Sequence, residues 1–379
     1  MIRCAVDARE YSLPSRSAGI SRFLTNIVAP LGAGSGFEFH LLTPAPDTVP
    51  SKLQNLPGVR TDVLPLLNRH GLDQWVLPRA ARACGAQLFF SPFHKAPFFP
   101  GMPLLITVHD IGFLRLRTLT AGHRRLARLR LNLTIRRAAK VICVSKFTER
   151  DLMELCPAAT EKTTVLYSDL GADWYRLLTD HSPAITPAVS PVPFGRFFLY
   201  CGNFKPHKCV DELIQGFQAA VHDQQLPEHN LVLIGGDDAN APRIRRLIRR
   251  LDLERRVYVC RDVDDFSLSR FYQAADWFVT ASRYEGFGYP AVEAMFAECP
   301  VACHPATSLI EVAGSAALAI RSPTPGEIAA TLIRAAGMNA GERQQYIEAG
   351  RRQARLFTPG QTAQAFARLC RGLVPDTLA

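Results

Sequence analysis

The feature that most restricts this chain is a stretch that no helix can run through. Residues 182–193 carry four prolines, at Pro183, Pro187, Pro191 and Pro193. Proline lacks a backbone donor and clashes with the preceding helical turn, so the stretch reads as an extended linker. On both sides of it, short apolar β-prone runs alternate with amphipathic stretches, the pattern of parallel strands covered by helices. The 379 residues are too many for one ordinary domain and suit two. The expected division is an N-terminal α/β domain over residues 1–182, a linker over 183–195 and a C-terminal α/β domain over 196–357. A terminal helix is expected after Phe357 and Pro359, within residues 358–379.

Residues 285–293 read Glu-Gly-Phe-Gly-Tyr-Pro-Ala-Val-Glu. The run before them, Trp277, Phe278, Val279 and Thr280, suits a buried strand, so a strand delivers Glu285. Gly286 and Gly288 loosen the turn that follows, and Pro290 suits the first turn of a helix, where its missing N–H costs nothing. A helix start attracts phosphate through its unpaired donors and the positive end of its dipole. Phosphate would repel Glu285 and Glu293, so neutral hydroxyls are their expected targets: a sugar for Glu285 and a ribose for Glu293. Taken alone, the same pair also fits a turn cap and a solvated helix face.

Two further loops carry candidate chemistry. After the apolar run ending at Tyr200, Gly202 opens a turn bearing Asn203, Lys205 and Lys208, which suits a pyrophosphate; taken alone, both lysines also fit an ordinary surface. His109 follows Leu104–Val108 and is expected at the carboxyl end of a strand, the edge where open α/β sheets place ligands. A structural His–Asp pair with Asp110 is the alternative. Gly19 is expected in a loop between the strand at residues 2–6 and a helix starting near Ile20, where a ligand could approach the backbone.

These motifs together resemble the retaining, nucleotide-sugar-dependent glycosyltransferases of GT-B architecture, family 4. The likeness rests on Glu285 to Glu293, on residues 197–208, on Leu231 to Gly236, and on Asp7-Ala8-Arg9, Gly19 to Arg22, Val108-His109-Asp110 and Val144-Ser145-Lys146. It covers nearly the whole chain. It implies two Rossmann-like domains facing each other across a cleft, with a C-terminal helix crossing back to the first. It implies catalytic roles for His109, Lys208 and Glu285, and donor contacts from Gly19, Asn203, Lys205, Lys208, Gly286, Phe287, Gly288, Tyr289 and Glu293. It also implies a nucleotide-sugar donor, a glycan or lipid-linked glycan acceptor, and no metal or other cofactor. The Asn203 to Lys208 variant is similar to that of mannosyltransferases of surface polysaccharide assembly, which points to GDP-mannose. Two departures stand out: Asn203 replaces an arginine common in the family, and Tyr167-Ser168-Asp169-Leu170 lacks the usual Asn-Gly. A sugar phosphorylase or nucleotide-sugar hydrolase and a non-catalytic scaffold are the competing readings of the same fold.

The ten cysteines show no zinc-finger or Cys-x-x-Cys spacing and read as free thiols of a reducing compartment. Residues 1–6 lead straight into a folded pattern, and no apolar run is long enough to cross a bilayer. A cytoplasmic protein is therefore expected. The formal charge of +10 lies mostly in residues 1–182, which hold 23 basic and 14 acidic side chains. Arginines cluster between Arg115 and Arg137, interleaved with leucines. Such a helix fits an anionic membrane surface, or solvation with its leucines packed inward; nucleic acid is not expected as a partner. Asp262-Val263-Asp264 superficially matches a metal-binding Asp-x-Asp and is read as accidental.

Overall fold

A computed structural model describes the chain apart from residues 13–17, 35, 66–71, 117, 181–194, 224, 227, 236–238 and 375–379. Residues 182–193, read as the linker, therefore lie outside the described residues, as do Arg117 and Gly236. The chain divides into two units, one of Met1–Gly171 with Pro359–Ala379 and the other of Ala172–Thr358.

The first unit is built on seven parallel strands: β1 Ile2–Asp7, β2 Phe37–Thr43, β3 Val59–Val63, β4 Leu88–Ser91, β5 Leu104–Val108, β6 Lys140–Cys143 and β7 Thr163–Val165. Their order is β3-β2-β1-β4-β5-β6-β7. The second unit has six: β8 Arg196–Cys201, β9 His229–Ile234, β10 Val257–Cys260, β11 Trp277–Thr280, β12 Val301–Cys303 and β13 Ala317–Ala319, in the order β10-β9-β8-β11-β12-β13. Every pairing in both sheets is parallel. Two Rossmann-like sheets are thus present. Helices cover both faces of such sheets, so central strands are apolar throughout: all of β5 and β11 is buried.

In each sheet the strand order reverses once, between β1 and β4 in the first unit and between β8 and β11 in the second. Loops leaving the two strands at a reversal run to opposite sides, opening a crevice at the carboxyl edge. The sequence candidates fall beside these two places.

The Gln361–Arg371 helix belongs to the first unit and packs on the Ala18–Gly32 helix. Phe366 tilts against Phe90 of β4 with ring centroids 4.7 Å apart. The Asp169 carboxylate accepts from the Thr362 N–H at 3.1 Å, while Thr362 Oγ1 accepts from the Asp169 N–H at 3.0 Å. Asn26 Nδ2 donates to the Asp169 carbonyl at 2.7 Å. Asp169, part of a departure from the family pattern, caps the last helix. Burial pushes its carboxyl up to about 6, against the partial relief of the Thr362 hydrogen bonds.

Candidate functional site

In the second unit, β8 ends in a turn that only glycine can make. Gly202 has φ +149° and Gly235, after β9, has φ +116°. A Cβ on Gly235 would stand 2.4 Å from the Gly202 carbonyl oxygen, so the two turns meet backbone against backbone. Tyr200 Oη then donates to the Asn203 carbonyl at 2.7 Å, and Asn203 Oδ1 accepts from the Lys205 N–H at 3.3 Å. Lys205 is exposed. Lys208 is not: its Nζ donates to Glu285 Oε1 at 2.6 Å, with each side chain 16% exposed. The next residue, Cys209, takes a left-handed φ of 55° at the start of the Val210–His222 helix.

The loop after β11 is fastened from two sides. The Arg283 N–H donates to the His207 carbonyl at 2.8 Å, joining it to the Lys208 turn. Thr307 Oγ1 accepts from the Glu285 N–H at 2.9 Å, and Ser308 Oγ lies 3.0 and 2.9 Å from the Glu285 and Phe287 carbonyls as their donor. The Phe287 ring is buried edge-on against Tyr289 and Phe357, so this residue offers the crevice its backbone and anchors the loop with its side chain. Gly288, at φ 97°, starts the Tyr289–Phe296 helix, with Pro290 in its first turn.

Glu293 is 2% exposed, which excludes the solvated-face alternative. Its Oε2 accepts from Tyr272 Oη at 2.8 Å. Burial drives the Tyr272 phenol well above its ordinary range, with Cys201 and Glu293 adding to the effect, so it stays a donor. Tyr272, Thr307 and Ser308 carry no sequence signal, because each reaches its partner from a separate element.

In the first unit, β1 and β4 end at a crevice lined by Asp7, Arg9, Glu10, Ser12, Pro44, Pro92, Phe93 and Lys95, with a volume of about 200 Å³. Arg9 grips Asp7 through two bonds, at 2.8 and 2.6 Å. His109 follows β5, where its Nε2–H donates to the Pro92 carbonyl at 3.0 Å. Burial pulls its pKa down to about 4, against the Pro92 carbonyl, so the imidazole is neutral and Nδ1 is its acceptor. Phe23 meets the ring edge-on at 5.1 Å. Gly19 lies one turn before Phe23 in the first turn of the Ala18–Gly32 helix, not in the loop expected ahead of it. Asp110 is occupied elsewhere, accepting from the Gly112 N–H at 2.8 Å, which removes the structural His–Asp pair.

The Asp-x-Asp match dissolves in the same way. Asp264 caps the Asp265–Ala274 helix, accepting from the Ser267 N–H and Oγ, both at 2.8 Å. Among the described residues, no group of three or more His, Cys, Asp or Glu stands ready to hold a metal ion. Nor is any helix among them long and apolar enough to cross a membrane.

Two parallel sheets, each with a single reversal of strand order, define an α/β protein of the double-Rossmann type. Residues 192–353 match the family described as Glycosyl transferases group 1, and residues 17–168 match Glycosyltransferase Family 4. The chain belongs to the GT-B-fold glycosyltransferases related to group 1 and family 4. It is 30% identical over 189 residues to the O-antigen chain mannosyltransferase B of Escherichia coli, covering 48% of this chain and 47% of that protein. It is 35% identical over 104 residues to the GDP-mannose:cellobiosyl-diphosphopolyprenol alpha-mannosyltransferase of Xanthomonas campestris, 27% of each chain. The chain thus spans about half, or less, of the length of these curated relatives. Anabaena HepE, solved with UDP and glucose, superposes with a TM-score of 0.75 over 98% of this chain and all of its own, at 19% identity.

Proposed function

We propose that this chain is a retaining, metal-independent hexosyltransferase that moves a sugar from a nucleoside diphosphate to an acceptor hydroxyl. The observation that carries the reading is the Lys208–Glu285 pair, held on the β8 and β11 loops beside the Gly288 helix start. A lysine and the positive end of a helix dipole at one crevice oppose the charge that grows on a departing diphosphate. Glu285 is then positioned for donor-sugar hydroxyls, and Glu293, fixed by Tyr272, for the ribose. The neutral His109 would accept from a sugar hydroxyl through Nδ1.

In this scheme the glycosidic C–O bond to the diphosphate breaks as the acceptor oxygen bonds the anomeric carbon on the same face. The acceptor proton passes to a leaving phosphate oxygen. Gly19, Asn203, Lys205, and the 286–289 backbone complete the donor contacts. The crevice at Asp7 and Arg9 has room for about one sugar ring and suits the acceptor. The mannosyltransferase relatives favour GDP-mannose, in assembly of a surface polysaccharide such as lipopolysaccharide, by a cytoplasmic enzyme peripheral to an anionic membrane.

The test is a panel of UDP-, GDP-, ADP- and dTDP-sugars without added metal, read by thermal shift and slow nucleoside-diphosphate release. Stabilisation and release with one donor, abolished by Glu285→Gln, supports the reading. Stabilisation without release, with or without acceptor glycans, points to a binding scaffold instead.

A further inference from the structure

The Ala121–Arg137 helix has six arginines and no acidic residue. Its leucines do not simply pack inward. Leu131, Thr134 and Ile135 are buried, whereas Leu126, Leu129 and Leu133 are 44%, 66% and 37% exposed. At 100° per residue, the three exposed leucines fall within a stripe about 60° wide, flanked by Arg130 and Arg137 on one side and by Arg125 and Arg136 on the other. All four of these arginines are exposed. The stripe continues into a neighbouring loop, where Phe99, 67% exposed, lies 4.3 Å beneath the Arg137 guanidinium.

Not all the basic residues expected to act together do so. Arg115 is consumed by Asp151 at 2.5 Å and Glu154 at 2.7 Å, and Arg128 donates to the Leu155 carbonyl at 2.9 Å. Both are therefore turned to the protein. What remains outward is an apolar edge between two rows of arginine.

We infer that this edge, Leu126, Leu129, Leu133 and Phe99, inserts into the interface of an anionic bilayer, with Arg125, Arg130, Arg136 and Arg137 at the headgroups. A second copy on the same face would set these four exposed arginines against four, an uncompensated repulsion. Nucleic acid would match the arginines and leave the leucine stripe against phosphate. Only a surface that is anionic at its boundary and apolar just beneath answers both features. This inference names a partner for the proposed transferase and takes its purpose from that reading. Vesicle binding needs no donor, so each can fail without the other.

The experiment is co-sedimentation with vesicles of phosphatidylcholine alone and mixed with phosphatidylglycerol. Wild type should bind the mixed vesicles and not the neutral ones. A Leu126→Ser, Leu129→Ser, Leu133→Ser variant should bind about tenfold or more weakly while keeping donor turnover, because three apolar side chains leave the interface. Separately, Leu129→Trp should be quenched by brominated acyl chains beyond the wild-type background. Unchanged binding of the serine variant, or no added quenching at position 129, would reduce the contact to arginine adsorption and overturn insertion. Self-association without vesicle binding would overturn it in favour of a second copy.

Discussion

Lys208 and Glu285, 77 positions apart, meet at 2.6 Å through loops that leave neighbouring strands of one sheet. Neither is fully exposed, so the pair is screened by little water, and removing one partner strands the other. Lys208→Ala should therefore lower thermal stability as well as activity. If the lysine opposes charge on the leaving diphosphate, kcat should drop by about 10²–10³-fold, with Lys208→Arg recovering part. A variant with lowered stability and unchanged turnover would confine the pair to structure.

Tyr272→Phe tests the second carboxylate. It deletes one donor to a buried Glu293 without changing packing volume, and should cost about 1–3 kcal/mol in urea unfolding. Under the proposed ribose contact, KM for the donor should also rise with kcat nearly unchanged. An equal fall in kcat would move Glu293 to the reacting end of the donor.

Gly235→Ala is a test of backbone geometry alone. The new Cβ would meet the Gly202 carbonyl at 2.4 Å, with φ at +116°, and no flexible side chain can yield there. A loss of about 2 kcal/mol or more is expected. Gly202→Ala, which meets only the Tyr200 hydroxyl at 3.0 Å, retains the φ strain but has a neighbour that can shift. Equal tolerance of both would mean the two turns are not in contact.

Acid stability should contain two opposed contributions from the first unit. His109 titrates near 4 in the fold against 6.5 unfolded, so the unfolded chain binds more protons in between. Its stabilisation is present above the unfolded value and is lost as pH falls, by about 3 kcal/mol in all. Asp169 runs the other way, near 6 folded against 3.8 unfolded; its contribution is full below 3.8 and lost as pH rises through 6, again about 3 kcal/mol. Relative to wild type, His109→Gln should gain stability on acidification across this window and Asp169→Asn should lose it. Urea midpoints at a series of pH values decide this, and parallel profiles for all three proteins would remove both assignments.

Glycine and proline make much of the second unit's site legible from residue type alone: Gly202, Gly288 and Pro290 mark turns and helix starts whose conformations few other residues accept. Lys208 and Glu285 stand out singly because they flank such turns, but their pairing is a product of strand order. Glu293 shows the limit more sharply. Helical spacing says that it lies one turn from the loop, yet its burial depends on Tyr272, which arrives on a different helix. The leucines of the Ala121–Arg137 helix are ambiguous by spacing because Leu131 lies on the opposite side from the other three; only the neighbours that Arg128 and Leu131 pack against decide which face is out. Asp169 reads as a missing motif, and its role depends on Thr362, 193 residues away.

The cap between Asp169 and Thr362 also orders events during synthesis. The first unit's last helix is made only after residues 172–358 have left the ribosome, about 10–40 s later at ~5–20 residues per second. Throughout that interval Phe90 lacks Phe366, and Asp169 lacks the N–H that it caps. The nascent first unit should therefore display an unfinished apolar patch that a chaperone can recognise, and the second unit, which waits on no later segment, should be the first to resist a protease.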